Sequence, residues 1–227
     1  MNQAPLFSVI TPSRGTRPRA LALAVDSVAR AGAQAGLPPG AVEMLVGYDG
    51  VRGPRTGPDG APPPPWVRFF DLPRGGNYGN PARQALLRAA RGAFLLLLDD
   101  DNALAPGALE VYRAGLDHEM QVGRIDVSRA FDKPFLPEAL PGRELIRPGN
   151  IDPLCLCLSR ELVVVRCGGW RPEGGYESDY LNILRYARRA RSVRVVEALV
   201  GVYDAGAGLD AGGRNPRQAA RDSPPRG

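Results

Sequence analysis

The sequence has few of the residues on which several classes of protein depend. Among its 227 residues are one histidine, three cysteines and one lysine, and aromatic residues make up 7%. A zinc site needs four well-spaced ligands, which Cys155, Cys157, Cys167 and His118 do not offer, so we expect core cysteines and a surface histidine. An odd number of cysteines argues against a disulfide scaffold and favours a reduced, cytoplasmic protein. The scarce aromatics are not interleaved with basic residues, so we expect no specific nucleic acid partner.

Long hydrophobic runs are also missing. No stretch approaches the roughly 18 apolar residues of a membrane span. The first fifteen residues do not combine a charged region with an apolar stretch, as a signal peptide would. With 227 residues, of which 44% are hydrophobic, the chain suits one domain with a sizeable core and is short for two.

The formal net charge of +5 is carried almost entirely by arginine, because Lys133 is the only lysine. Abundant alanine, glycine and proline accompany the arginines, which is typical of the coding bias of a GC-rich genome. The functional interpretation is attraction to anions such as nucleotides, phosphorylated lipids or nucleic acid. Composition alone leaves both interpretations open.

Strand and helix patterns alternate in the first half, which predicts an α/β domain with a mostly parallel central sheet flanked by helices. The loop 51–65 is rich in proline and glycine and is predicted to be exposed. Asn80 is predicted to cap the helix that contains Pro81. The predicted strands of this half are 6–11, 42–48, 66–71 and the apolar run that begins at 93.

The second half is less regular. A helix is predicted over 106–120, and a helix over 177–190 has Tyr180, Leu184 and Ala187 at helical spacing. From residue 204 onward glycine, proline, arginine and aspartate dominate, which predicts a domain over 1–203 and a disordered tail over 204–227. The predicted strands of this half are 122–129, part of 153–170, and 192–203.

Three consecutive aspartates follow the most apolar run, in 94-FLLLLDDDN-102. Adjacent like charges destabilise the fold unless a cation balances them, and no lysine or arginine lies close in sequence, which favours a metal ion. Because side chains alternate along a strand, we expect Asp99 and Asp101 to point one way and Asp100 the other. Carboxylates at the carboxyl end of a strand suit Mg²⁺ or Mn²⁺. The alternative is a solvated acidic turn before a helix.

The order of five segments resembles that of the inverting family 2 glycosyltransferases. The segments are TPSRGTR, VGYDG, GNPARQALLRAARGAFLLLLDDDN, CGGW and ESDYLNILR. The resemblance covers roughly residues 6–200, and its most specific part is A-R-x-x-x-L-x-x-A-x-G followed by an apolar strand and D-x-D. It implies the GT-A fold and the inverting transfer of a sugar from a UDP- or GDP-sugar, with Mn²⁺ or Mg²⁺. The implied acceptor is a saccharide or a lipid-linked saccharide.

The resemblance also implies roles for individual residues in donor binding. Thr11, Pro12 and Ser13 would line the nucleotide pocket. Asp49 would hold the edge of the base, and Arg83 would reach the nucleotide from its helix.

The three aspartates would bind the donor and its metal. Asp99 would lie beside the ribose, with Asp100 also among the nucleotide-binding residues. Asp101, together with Asp99, would bind the metal that bridges the diphosphate.

On the acceptor side, Asp179 takes the position of the catalytic base, with Glu177 as the alternative. A carboxylate within reach of the attacking hydroxyl can accept its proton, which is worth roughly 10²–10⁴ in rate. The competing interpretation of Asp179 is an acid stabilised by the helix dipole. Trp170 would either stack on the acceptor sugar or fill the core, and Asn150 and Asp152 are placed near the acceptor by their position in the sequence.

Two other functions compete with this one. The segment 14-RGTRP-18 resembles the glycine-rich turn of sugar-nucleotidyltransferases, in which Arg14, Arg17 and Arg19 would replace the usual lysine. A non-catalytic module would instead bind its partner through the arginines of the tail, Arg214, Arg217, Arg221 and Arg226. For the glycosyltransferase we expect a cytoplasmic location, with peripheral contact at the inner face of the membrane if the acceptor is lipid-linked.

Overall fold

A computed structural model describes residues 4–55 and 61–211. Within them lie nine strands, four α-helices and several short helical turns. The strands are β1 (Phe7–Ser13), β2 (Val42–Asp49), β3 (Val67–Leu72), β4 (Phe94–Leu97), β5 (Ala103–Leu104), β6 (Met120–Asp126), β7 (Phe135–Leu136), β8 (Leu156–Ser159) and β9 (Val193–Val202). The helices are α1 (Pro18–Gln34), α2 (Asn80–Ala89), α3 (Ala108–Arg113) and α4 (Ser178–Arg189).

The strands form one sheet in the order β3-β2-β1-β4-β8-β6-β9-β5, and β7 pairs with β6. The first four strands in this order, β3, β2, β1 and β4, are parallel to one another, as the strand–helix alternation predicts. In the second half β8 is antiparallel to both β4 and β6, whereas β9 is parallel to β6. The α/β prediction is confirmed, and the complete sheet is mixed because its second half adds antiparallel pairs.

The two central strands carry the core. Every residue of β1 and of β4 is buried, which fits the continuous apolar sequence of β4, whereas β1 also buries the hydroxyl groups of Ser8, Thr11 and Ser13. Helix α1 covers the sheet with Leu21, Val25 and Val28, the three residues that the helical spacing selects. The ends of β1 and β4 therefore stand at fixed positions on a rigid scaffold.

The three residues that the helical spacing selects in α4 are not the most buried residues of that helix. Tyr180, Leu184 and Ala187 are only partly buried, and the fully buried side chains include Asn182, Ile183 and Tyr186. The Asn182 amide is satisfied inside the protein by the carbonyls of Arg171 and Ser178, each at 2.8 Å. A hydrophobic pattern cannot identify a buried amide whose partners lie on another segment.

Three predicted boundaries also differ from the structure. The helix predicted over 106–120 is limited to α3, and the chain then turns before β6. A Cβ at Gly115 would lie 2.3 Å from the Gln121 side chain, so the chain passes too close there for a longer helix with ordinary residues. Asn80 does not cap α2: Gly79 does, with φ of 77°. The strand predicted over 122–129 begins two residues earlier, at Met120.

The segment 204–211, which we expected to begin a disordered tail, is folded into turns. The Asp210 carboxylate accepts hydrogen bonds from the first-turn N–H groups of Arg19 and Ala20, and so caps α1. The N–H of Asp204 donates to Asn102 at 2.8 Å, beside the three aspartates. The rest of the predicted tail, 212–227, lies outside the described residues.

The loop predicted over 51–65 contains no helix or strand in its described parts, 51–55 and 61–65. Across the part of the chain that the structure describes, no helix has both the length and the apolar composition needed to cross a membrane.

Candidate active site

The three aspartates lie in a turn at the carboxyl end of β4. Leu98 still bonds the carbonyl of Ile10 in the neighbouring strand, and the chain then turns so that the N–H of Asn102 donates to Asp99 at 3.1 Å. The alternation expected for a continuing strand was therefore wrong. Asp100 and Asp101 share one arginine, whereas Asp99 binds another.

Arg17, in the loop between β1 and α1, is the cation that the neighbouring sequence lacks. Its guanidinium lies 2.5 Å from Asp100 and also pairs with Asp101. The second oxygen of Asp100 accepts a hydrogen bond from Ser13 at 2.6 Å. Asp100 is 1% exposed, and both of its oxygens are engaged. The sequence argument for a metal ion considered only neighbours in sequence, and it therefore missed this arginine.

One guanidinium does not fully offset the burial of two carboxylates. Burial raises the pKa of Asp100 to about 6, although Arg17 acts in the opposite direction. Burial also raises the pKa of Asp101, again against Arg17. Burial therefore favours the protonated forms of these carboxylates, and Arg17 favours the charged forms.

Arg83 joins the aspartate turn to α4. Its guanidinium lies 2.6 Å from Asp99 and 3.7 Å from Asp179, and it donates to the carbonyl of Tyr78 at 3.0 Å. Arg83 is 3% exposed. Burial by itself would lower its pKa, but the carboxylates of Asp99 and Asp179 raise it, so the guanidinium stays charged.

Trp170 is buried against the Arg83 guanidinium and does not face the solvent. The indole is 1% exposed, the Arg83 guanidinium lies over its ring at 5.4 Å, and its N–H donates to Asn80 at 2.8 Å. Of the two roles that the sequence left open, the structure selects the core. The stacking also fixes the plane of the guanidinium that faces Asp179.

Asp179 stands in the first turn of α4, at the open side of this cluster. Its Oδ1 atom has no hydrogen-bond partner among the described residues, and 39% of its side chain is exposed. Burial of the carboxylate raises its pKa, Arg83 lowers it, and Asp99 raises it further. Glu177, the alternative base, is exposed to solvent. The Oδ1 atom of Asp179 is itself buried and faces Arg83, so a bound hydroxyl would give its proton to the other oxygen, Oδ2.

The predicted nucleotide-pocket residues Thr11, Pro12 and Ser13 form the buried carboxyl end of β1. The Thr11 hydroxyl has no hydrogen-bond partner within the described chain. Asp49 ends β2, and its oxygens accept hydrogen bonds from the N–H groups of Gly75 at 2.5 Å and Gly76 at 2.9 Å. Its role at a base edge stays a prediction, since both oxygens already hold this loop.

The structure thus forms two groups of contacts that meet at the aspartate turn, and it places Thr11 and Pro12 on the same strand end as Ser13. One group comprises Ser13, Arg17, Asp100 and Asp101, and the other comprises Arg83, Asp99 and Asp179. Sequence reasoning missed Arg17 as a partner of the aspartates. The only available signal was its position in the first strand-to-helix loop.

Two residues that the sequence placed near the acceptor differ in their surroundings. Burial raises the pKa of Asp152 to about 7, and the charges of Asp179 and Asp99 raise it too, although a hydrogen bond of 2.9 Å from the N–H of Leu154 lowers it. Asn150 instead holds a loop together, because its amide bonds Glu138 and Leu145. The placement of Asn150 near an acceptor stays a prediction, since this amide already holds the loop.

The arginines of 14-RGTRP-18 do not gather as a triphosphate site would require. Arg17 is bound by aspartates, while Arg14 and Arg19 are exposed. The arginines of the tail, from Arg214 onward, lie outside the described residues.

As placed, the carboxylates do not fit the divalent cation that the resemblance implies. Asp99 is turned toward Arg83 and Asp101 toward Arg17. In residues 4–55 and 61–211, no group of three or more aspartate, glutamate, cysteine or histidine side chains is arranged to hold a metal. A metal shared by Asp99 and Asp101 would require these ion pairs to open.

The sequence matches no family model and no curated protein. Solved structures do resemble its fold. S. aureus TarS 1–349 in complex with UDP has a TM-score of 0.67 and 16% identity over 87% of this chain and 60% of that one. The same protein with UDP-GlcNAc has a TM-score of 0.59 and 13% identity over 87% and 58% of the two chains. The mannosyltransferase PcManGT from Pyrobaculum calidifontis, with GDP-Man and Mn²⁺, has a TM-score of 0.57 and 17% identity over 89% and 57%.

The chain therefore spans about 60% of the TarS structure that it matches. At this level of identity the likeness shows the fold alone, and the expectation of that fold is confirmed: the chain has the α/β fold of the GT-A glycosyltransferases TarS and PcManGT.

Proposed function

We propose that the chain transfers a sugar from a nucleoside diphosphate sugar to a hydroxyl group, at the edge of the sheet where β1 and β4 end. One observation carries the proposal. A partly exposed carboxylate, that of Asp179, lies beside Arg83, which also binds Asp99 of the aspartate turn. This arrangement occurs in a fold whose solved relatives include complexes with UDP, UDP-GlcNAc and GDP-Man.

The proposed donor is a UDP- or GDP-sugar. The Thr11 hydroxyl is buried and has no hydrogen-bond partner within the described chain, so a nucleotide reaches it only if the end of β1 rearranges. The half-exposed Asp99 can accept hydrogen bonds from the ribose hydroxyls. Both lie at the carboxyl ends of parallel strands, where ligands of open α/β sheets bind.

The proposed reaction is a single displacement with inversion. The acceptor hydroxyl gives its proton to Asp179 while its oxygen attacks the anomeric carbon on the face opposite the diphosphate. The bond between that carbon and the phosphate oxygen breaks, and the nucleoside diphosphate leaves with the bonding electrons. The raised pKa of Asp179 helps, because a general base works best when its pKa is near the working pH.

A divalent metal is the cofactor that a solved relative suggests. PcManGT is complexed with Mn²⁺, and carboxylates are the ligands that Mn²⁺ and Mg²⁺ prefer. We assign no step to a metal, since Arg17 and Arg83 bind the two carboxylates that would hold it, those of Asp101 and Asp99.

A saccharide is the acceptor that suits the surface beside the base. Tyr78 and Tyr176 are 67% and 66% exposed, and their rings meet edge to face at 6.0 Å. Tyr176 precedes Asp179 by three residues, and the Tyr78 carbonyl bonds Arg83. Exposed aromatic rings beside polar groups are suited to bind the apolar faces of sugars. A lipid-linked saccharide would bring the protein to the cytoplasmic face of a membrane.

The test is release of nucleoside diphosphate from UDP-GlcNAc, UDP-glucose and GDP-mannose. The wild type is compared with Asp179→Asn and with Glu177→Gln, a matched control that neutralises an exposed carboxylate two residues away. We expect turnover of one donor, a loss of roughly 10²-fold or more in Asp179→Asn, and near wild-type rates in Glu177→Gln. A proton NMR spectrum of the product then reports inversion. Equal rates for wild type and Asp179→Asn would overturn the assignment of the base.

A further inference from the structure

Arg17 occupies the position in the aspartate turn that a cation would take. Its side chain is 15% exposed, and its two terminal nitrogens bind different carboxylates, those of Asp100 and Asp101. A guanidinium that bridges two buried carboxylates supplies the positive charge that the resemblance assigned to a divalent ion. The structure therefore assigns the counter-ion role to a residue of the chain itself.

The exchange of Arg17 for another cation needs only a side-chain movement. Its main chain is fixed, because its carbonyl accepts the hydrogen bond from Leu21 that begins α1, at 2.9 Å. Ser13, which holds the other oxygen of Asp100, is also fixed in β1. The carboxylates would thus keep their places while the long arginine side chain leaves.

We propose that Arg17 and a divalent cation compete for the carboxylates of Asp100 and Asp101. The free chain is then self-neutralised at this site and binds Mn²⁺ weakly, and removal of Arg17 strengthens Mn²⁺ binding. This inference rests on the proposed function, since the solved relative with GDP-Man is the one that contains Mn²⁺. It predicts that the arginine, rather than the number of carboxylates, limits metal affinity.

Charge and geometry support the competition. A divalent ion that binds the same oxygens would lie within a few ångströms of the Arg17 guanidinium, which would repel it. Without Arg17, the two carboxylates of low exposure lose the ion pairs that they make within the described residues. Hard oxygen ligands without a counter-ion bind Mn²⁺ more tightly.

The experiment is a Mn²⁺ titration of the nucleotide-free protein, with free Mn²⁺ followed by electron paramagnetic resonance. Wild type is compared with Arg17→Gln and with the control Arg14→Gln, which removes the same charge from an exposed position in the same loop. We expect Arg17→Gln to bind Mn²⁺ about tenfold or more tightly than wild type, because a neighbouring buried charge is removed. Arg14→Gln should stay within about twofold, as expected for an exposed charge.

The gain should disappear in the double variant Arg17→Gln/Asp101→Asn, which lacks one of the contested carboxylates. Arg17→Lys is a second route if Arg17→Gln fails to fold. Its point charge cannot bridge both carboxylates as a fork does, so its Mn²⁺ affinity should rise by a smaller factor of about threefold. Unchanged or weaker Mn²⁺ binding in the folded Arg17 variant would overturn the competition.

The failure of this inference can be told apart from failure of the proposed function. If Arg17→Gln gains no Mn²⁺ affinity while the wild type releases nucleoside diphosphate from its donor, only the competition is wrong. If the wild type releases no nucleoside diphosphate, the proposed function fails, and the nucleotide-free titration still decides the competition.

Discussion

Replacement of Arg83 tests how much the carboxylates of the site depend on one cation, because this side chain contacts both Asp99 and Asp179. Arg83→Ala removes a charged hydrogen bond of 2.6 Å to Asp99, the weaker contact of 3.7 Å to Asp179, and the stacking on Trp170. Loss of one partner from a buried ion pair costs about 3–5 kcal/mol. The two carboxylates are each 39% exposed and are partly screened by water, so the lower end, about 3 kcal/mol, is expected.

The assay is urea unfolding followed by tryptophan fluorescence, which includes the signal of Trp170. Arg83→Lys is the matched control: it keeps the charge and loses the fork and the planar stacking, so about 1–2 kcal/mol should be lost. A loss below about 1 kcal/mol for Arg83→Ala would refute the reasoning, because it would mean that the carboxylates do not depend on this arginine.

The same variant changes the pH dependence of activity. Arg83 lowers the pKa of Asp179 against the effect of burial, so its removal raises that pKa further. A base is active when it has lost its proton, and the acid limb of the rate profile should therefore move to higher pH. We expect the acid limb of Arg83→Lys to match that of wild type and the acid limb of Arg83→Ala to lie at higher pH. An identical limb in all three proteins would contradict the pairing of Arg83 with Asp179.

Three further changes test the scaffold. Glu43→Gln removes a buried carboxylate that binds arginines at the amino end of β2, and it should cost about 3 kcal/mol in urea unfolding while nucleotide binding stays unchanged. Hydrogen bonds from Arg166 lower the pKa of Glu119 to about 2, so its contribution is present above the ordinary pKa of 4.5 and is lost as the pH falls toward 2. The stability difference between wild type and Glu119→Gln, about 1–2 kcal/mol at pH 7, should shrink over that range of acid pH. Gly53→Ala would place a Cβ 2.2 Å from the buried Tyr48 ring and should lower the melting temperature by an amount equivalent to about 1–3 kcal/mol.

The parallel half of the sheet could be predicted because each strand is a mostly apolar segment that is followed by turn residues. β4 is the clearest case, since a run of apolar residues stops at three aspartates. The antiparallel strands of the second half are short, and their pairing partners lie far away in sequence. Their order in the sheet could not be derived from local patterns.

The contacts of the aspartate turn depend on strand register, which one sequence does not show. Phe7 pairs with Phe94 and Ile10 with Leu97, and continuation of this register brings Ser13 level with Asp100. The hydrogen bond between those two side chains follows directly. Position in the chain indicated which strand ends would meet, but only the register determines which side chains touch.

Arg17 could not be assigned for the same reason. In the sequence, most of the parallel half of the sheet lies between Arg17 and Asp100, although the two side chains are in contact. The residues next to the aspartates in sequence therefore do not include it. Asp179 was selected by resemblance, and the structure shows that its helix begins beside Arg83. Burial and long-range pairing, rather than composition, make these residues a cluster.

The most direct test of the central claim is a calorimetric titration with UDP and with GDP, each with and without Mn²⁺. Wild type is compared with Asp101→Ala and with the exposed control Arg14→Gln. The account predicts that one nucleotide binds to wild type and to Arg14→Gln, and that its binding is strongly weakened in Asp101→Ala. If neither nucleotide binds to the folded wild-type protein, or if Asp101→Ala binds it equally well, a donor site for UDP- or GDP-sugars at the aspartate turn is contradicted.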